Sequence, residues 1–136
     1  MEELRDKNGL TEAEFLAGYD MTKFDRPSLT ADNLIFSFEN GVSLLLIRRK
    51  GHPYLGRWAL PGGFAERGES IEESAARELK EETSLTGLEV VPAGFFAYPG
   101  RDPRGWWRQG ALSPTSRVTK AKSWRMTTRP TRAFSG

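Results

Sequence analysis

The stretch from Gly63 to Leu85, GFAERGESIEESAARELKEETSL, constrains this chain more than any other part of it. It sets a glycine turn before a helix that carries Glu78, Glu81 and Glu82 within a single turn. Residues three and four apart on a helix are surface neighbours, so Glu78 and Glu82 stack on one face with Glu81 beside them. Like charges at that spacing destabilise a helix unless something positive compensates. A divalent cation with oxygen ligands meets the need, because Mg2+ takes one or two carboxylates together with waters and substrate phosphate oxygens. A solvated acidic face is the alternative reading of the same residues. Ser70 with Glu73 three residues on is a capping box and predicts a helix beginning at Ile71. Ile71, Ala75 and Leu79 then form one apolar stripe directed at a sheet, with Ala76 and Arg77 beside it.

The order of residues favours the metal. Gly63, Glu69 and the run Arg77-Glu78-Leu79-Lys80-Glu81-Glu82-Thr83-Ser84-Leu85 resemble the Nudix box, G-x5-E-x7-R-E-U-x-E-E-x-G-U with U aliphatic. The one departure is Ser84, which stands where the family has its last glycine. That glycine would supply a left-handed helix cap. Serine takes the same conformation at a cost of roughly 1 kcal/mol, or the turn shifts towards Gly87. The departure touches helix termination and leaves the acidic residues in place.

At 136 residues the chain is one domain with a modest core. It has no cysteine, which excludes disulfides and thiolate metal sites and suits a reducing compartment. The opening residues, MEELRDKNGLTEAEF, lack the apolar core of a signal peptide, and Leu44–Ile47 is far too short to span a bilayer. The expected setting is the cytoplasm, with no membrane partner. A net charge of +2 hides an asymmetry. Residues 1–105 hold 13 Lys and Arg against all 18 acidic residues, a balance of −5, whereas residues 106–136 hold 7 Lys and Arg and no acid, a balance of +7.

Thr11 with Glu14 predicts a second capped helix running to about Ala17. Leu34–Phe38 and Ser43–Arg49 read as strands, joined through Asn40-Gly41 as a hairpin. Trp58–Leu60 reads as a short strand, with Trp58 in the core, and Leu88–Tyr98 as a strand interrupted by Pro92 and Gly94. Residues 99–105, PGRDPRG, form a turn-rich loop.

The resemblance continues outside the box. Residues 24–32, FDRPSLTAD, residues 58–64, WALPGGF, and residues 100–105, GRDPRG, are similar to a Nudix branch of ADP-ribose pyrophosphatases and related sugar-nucleotide hydrolases. This implies an α/β fold, an α/β/α sandwich around a mixed sheet, with the box as a loop–helix–loop. In the family a core strand begins directly after the Arg-Asp-Pro-Arg-Gly loop and is followed by further strands and a C-terminal helix. Residues 106–136 show neither alternation nor a helical stripe, so the sequence predicts a Nudix domain over 1–105 and a basic, atypical tail over 106–136. A basic arm for nucleic acid and a disordered tail are two readings of that tail. The preferred one is an out-of-frame translation beginning near Gly105, which leaves the sheet without a central strand and the isolated chain weakly stable and of low or absent activity. No recognised nucleic-acid-binding module is present, and nucleic acid is not an expected partner.

The resemblance implies cleavage of a nucleoside diphosphate linked to another group, ADP-ribose or a similar sugar nucleotide, giving a nucleoside monophosphate with Mg2+ or Mn2+ as cofactor. Glu78 and Glu82 are the expected metal ligands, with Glu81 bridging or ordering a metal-bound water and the Gly63 carbonyl contributing. Arg77 and Glu69 are expected to tie the box loop to its helix, a direct ligand role for Glu69 being the alternative. Arg101 and Arg104 suit a bidentate diphosphate clamp, or a turn with Asp102. Phe64 serves either as core or as a base-stacking wall, and His52 reads as an exposed loop residue. Of Arg48 and Arg49, only one can face a cleft. Several Nudix enzymes draw a further catalytic acid from a loop after the box helix, and this tail contains none. Some relatives are non-catalytic sugar-nucleotide-binding regulators, which usually lose the box glutamates. Relatives are often dimers, so a homodimer belongs among the implied partners.

Overall fold

The structure is a computed structural model describing residues 3–39, 41–116, 118 and 128–129. Capping decides where its helices start. Thr11 accepts from the Glu14 amide while Glu14 reaches back to the Thr11 amide, which opens α1 at Glu12–Gly18. Ser70 and Glu73 do the same for α2 at Ile71–Thr83, so each box satisfies two otherwise orphaned donors. α2 ends at Ser84, which takes the left-handed conformation at φ 64° and donates its N–H to the Lys80 carbonyl. Serine therefore makes the family glycine's turn in place.

Eight further elements in the first 114 residues are strands: β1 (Ser28–Asn33), β2 (Phe36–Ser37), β3 (Ser43–Leu45), β4 (Ile47–Arg48), β5 (Trp58–Ala59), β6 (Gly62–Phe64), β7 (Val90–Phe96) and β8 (Trp107–Pro114). A two-residue strand, β9 (Thr128–Arg129), follows. The principal sheet is mixed, in the order β6-β1-β8-β7, with β1 parallel to β8 and the other pairs antiparallel. A second sheet runs β2-β3-β9 and a third pairs β4 with β5. The hairpin expected around Gly41 exists as β2 against β3, with Gly41 at φ 100°. The strand expected over Leu34–Phe38 is divided: β1 ends at Asn33, and only Phe36–Ser37 pairs with β3. β7 carries the irregularity foreseen at Pro92 and Gly94, where its register against β8 shifts. An edge strand tolerates proline there because the missing N–H is not needed by a second neighbour.

The stripe of α2 closes the core. Ala75 packs with Ala31 and Leu112, flanked by Ile71 and Val90. One turn on, Leu79 packs with Ile35 and Leu45, flanked by Leu85, Leu88 and Val118. Asn33 is fully buried between these clusters, and its amide donates to the Pro61 carbonyl (3.1 Å) and the Ala75 carbonyl (3.0 Å). That side chain fixes helix, strand and the Pro61 turn to one another.

Two expectations are corrected here. The central strand thought to be missing after Gly105 is present: β8 pairs over six residues with β1 and along β7 on its other side. Its interior, Gly110-Ala111-Leu112, is buried although its sequence does not alternate, because a strand with neighbours on both sides needs small residues where helix and sheet approach closely. Most of the rest of the tail, and the C-terminal helix the resemblance implies, falls on residues outside those described. Trp58, expected in the core, is 36 % exposed and lies beneath the Arg48 guanidinium at 5.4 Å. Strand β5 pairs with β4 in a two-stranded ribbon apart from the principal sheet.

Candidate active site

The acidic face of α2 lies against the edge strand β6, and glycines make the approach possible. A Cβ on Gly63 would stand 2.5 Å from the carboxyl carbon of Glu78, closer than any side chain tolerates. A Cβ on Gly62 would collide with the Ala31 carbonyl and the Asp32 carboxylate. The Gly62 N–H donates to Glu82 Oε1 at 2.8 Å. Glu78 and Glu82 thus reach consecutive residues of the same strand.

Arg77 organises the loop before the helix. Its Nε and Nη2 donate to the two Glu69 oxygens at 2.8 and 3.0 Å, and Nη2 also donates to the Phe64 carbonyl at 2.9 Å. Nη1 pairs with Glu78 at 2.8 Å and lies 3.6 Å from Glu81. Glu69 further accepts from the Ser74 hydroxyl and the Glu66 amide. The hydrogen bonds from Arg77 hold the Glu69 carboxyl down at about 2, against the opposing effect of burial. Both oxygens of Glu69 are occupied by this network, which ties loop to helix.

Two other carboxylates behave differently. Burial, followed by the negative charges of Glu78, Asp32 and Glu81, pushes Glu82 up to about 7 despite the Gly62 amide. Burial also pushes Asp32 up to about 6, opposed by hydrogen bonds from Gln109 and Thr30 and by the charge of Arg101. Desolvation and like-charge repulsion are the two causes that raise a carboxyl group in this way, and a cation reverses both. Among the described residues no three Asp, Glu or His side chains form a ready-made metal cluster. The carboxylates of Glu78 and Glu82 nevertheless suit a hard cation that takes its remaining ligands from water and substrate, whereas the Gly63 carbonyl expected to join them faces β1, because the Asn33–Pro61 and Leu29–Ala65 bonds make Ala31–Gly63 a hydrogen-bonded pair of the ladder.

The other expected site residues are distributed as follows. Glu81 is exposed on the outer side of the acidic face. Phe64 is 46 % exposed, with its ring centroid 4.4 Å from that of Trp107, so it is not core. Arg104 donates through Nε and Nη2 to Asp102 at 3.0 and 2.8 Å and covers the Trp107 ring at 3.7 Å, which is the turn arrangement. Arg101 is half-buried, 5.8 Å from the Phe96 ring, and its Nε has no partner. His52 is exposed. Arg49 donates to the Pro53 carbonyl, while Arg48 covers Trp58. Sequence reasoning missed Asp32, Gln109 and Trp107. The one available signal for Asp32 was a carboxylate in a strand beside small residues, and Gln109 and Trp107 stood in a segment read as tail.

A mixed sheet with a glycine-backed acidic helix of this order defines the Nudix class. Residues 27–124 match the description NUDIX domain, and the chain belongs to that family. It is 46 % identical over 79 residues to an ADP-ribose pyrophosphatase of Methanocaldococcus jannaschii, covering 58 % of this chain and 45 % of the relative. It is 36 % identical over 102 residues to an ADPR responsive transcriptional repressor, NtrR, of Acinetobacter baylyi, covering 73 % and 41 %. The chain therefore spans less than half the length of either relative. Among solved structures, the NUDIX domain of Shewanella oneidensis NrtR complexed with ADP ribose superposes with a TM-score of 0.74 at 31 % identity, over 89 % of this chain and 80 % of that one. No helix among the described residues is long and apolar enough to cross a membrane.

Proposed function

We propose that this Nudix domain hydrolyses the pyrophosphate of ADP-ribose or a related sugar nucleotide, releasing a nucleoside monophosphate, with Mg2+ or Mn2+ bound at the α2–β6 junction. The observation that carries the reading is that Glu78 and Glu82 both reach β6 at Gly62-Gly63, with Glu82 half-buried and raised by burial and by the charges of Glu78, Asp32 and Glu81. Glu78 and Glu82 would hold the metal, and Glu81 would act through a water. The chemistry supplied by such an ion is polarisation of a phosphate oxygen and acidification of bound water.

The chain's own groups do the rest. Arg77 keeps Glu78 directed at β6 and locks the loop through Glu69, so that the ligands need little reorganisation on binding. Phe64 and Trp107 present an aromatic wall suited to a base, and Arg101 supplies a guanidinium whose buried Nε has no partner among the described residues. The relative that is an ADP-ribose pyrophosphatase and the neighbour complexed with ADP ribose support the substrate class.

Similarity to the repressor supports a second reading, a domain that binds the sugar nucleotide without turning it over. The intact acidic face weighs against it. Incubation of the chain with ADP-ribose and Mg2+ or Mn2+, read by AMP release and in parallel by calorimetric titration, separates the two. AMP release abolished by Glu78→Gln supports the hydrolase. Saturable binding without AMP supports the regulator, and neither signal refutes both.

A further inference from the structure

The strand that meets the acidic helix is tied down on both sides of the point where the carboxylates arrive. Glu82 and Glu78 reach β6 at Gly62 and Gly63. After them, the Phe64 carbonyl accepts from Arg77 Nη2 of α2 at 2.9 Å. Before them, the Pro61 carbonyl accepts twice from Asn33, from its backbone N–H at 2.8 Å and from its side-chain amide at 3.1 Å. The same side-chain nitrogen donates to the Ala75 carbonyl of α2 at 3.0 Å. Ala75 precedes Glu78 by about one helical turn, so the tie grips the helix just ahead of the first carboxylate. One planar group on β1 thus sets the separation of α2 from the start of β6.

The Asn33 amide is used for its donors. Its Oδ1 is buried with no partner among the described residues, a cost that an apolar side chain of similar size avoids. What such a side chain lacks is a pair of N–H groups diverging from one nitrogen, each committed to a different carbonyl. The separation they fix is opposed by the groups it brings together. Glu78 and Glu82 are like charges at i, i+4, and the Asp32 carboxylate packs against Gly62 from β1. Arg77 offsets this repulsion at Glu78, which it pairs at 2.8 Å. At Gly62, where Glu82 arrives, Asn33 is the neighbouring tie.

We propose that Asn33 is a positioning residue for the metal site: it holds Pro61-Gly62-Gly63 against α2 before a divalent cation binds, and so sets the affinity of Glu78 and Glu82 for the ion. The proposal rests on the metal reading of those carboxylates. Asn33 acts through the backbone that carries them, and its effect is read in metal affinity.

Mn2+ binding to the full chain, without substrate, is titrated by calorimetry for wild type, Asn33→Leu and Leu44→Ala. Asn33→Leu nearly keeps the volume and removes both donors. Leu44 is buried on β3 outside both clusters that meet α2, so Leu44→Ala loosens the core without touching the tie. Titrations are run at a temperature where circular dichroism shows each protein folded. Loss of a partner that holds ligands in place predicts an Mn2+ Kd about tenfold higher for Asn33→Leu, with Leu44→Ala matching wild type. An unchanged Kd for Asn33→Leu, or an equal rise for Leu44→Ala, overturns the proposal while leaving the metal reading intact. A wild type that binds no Mn2+ overturns both. Should Asn33→Leu fail to fold, amide exchange in the wild type decides. The Gly62 N–H should be nearly as protected in EDTA as in saturating Mg2+. Protection that appears only with Mg2+ means that the ion assembles the junction, and it overturns the proposal.

Discussion

Replacing Glu82 by glutamine should make the metal-free protein more stable at pH 8 and functionally worse. The glutamine oxygen keeps the bond from the Gly62 amide, so the change removes charge and little else. Glu82 titrates at about 7 in the fold against an ordinary value of 4.5. Its folded pKa is raised, so the fold holds its proton more tightly than the unfolded chain does. Stability from this group is complete below about pH 4.5 and is lost as pH rises through 7. Linkage sets the loss at no more than about 3 kcal/mol, and solvent screening of a half-exposed group reduces it to roughly 1–2 kcal/mol. Thermal melts in EDTA at about pH 4 and pH 8 should therefore show Glu82→Gln close to wild type at the lower pH and melting several degrees higher at the upper. Saturating Mg2+ should reverse the order, since a ligand that binds only the native state stabilises it by about 2.7 kcal/mol at a hundred times its Kd. A glutamine variant that melts below wild type at pH 8 in EDTA refutes the reasoning, because the carboxylate would then be paired and not repelled.

Ser84→Gly should raise stability by about 0.5–1 kcal/mol in urea titration, by relieving the left-handed serine at φ 64°; no gain would mean that the turn carries no strain. Asn33→Ala strips hydrogen bonds from two buried carbonyls and should cost about 2–4 kcal/mol, read from the same titration. The depressed pKa of Glu69 contributes stability present above about pH 4.5 and lost as pH falls towards 2, so Arg77→Ala should flatten that acid limb; an unchanged acid profile would deny the pairing. Amides of Gly110–Leu112 in the doubly paired β8 should exchange with solvent as slowly as those of central α2, and fast exchange would revive the reading of a sheet without this strand.

Local chemistry was readable from the chain alone. Both capping boxes, the start of α2 at Ile71, its Ile71-Ala75-Leu79 stripe, the break at Pro92 and Gly94 and the shared face of Glu78 and Glu82 depend on residues within a few positions of one another. Such features follow from helix period, capping and backbone stereochemistry, which act before any long-range contact forms. The tertiary structure decided what depends on distant partners. Gly110-Ala111-Leu112 lack alternation, yet β1 and β7 recruit them as the middle of the sheet, because pairing on both sides and a helix above set their environment. Trp58 looked like core and stayed exposed, since it lies in the β4-β5 ribbon apart from the principal sheet and meets Arg48 there. Asp32 meets Gln109 across 77 positions, and its electrostatic character arises only when burial and the α2 carboxylates surround it. Sequence spacing places charges on a helix, but desolvation and the approach of another strand decide which of them are held under strain.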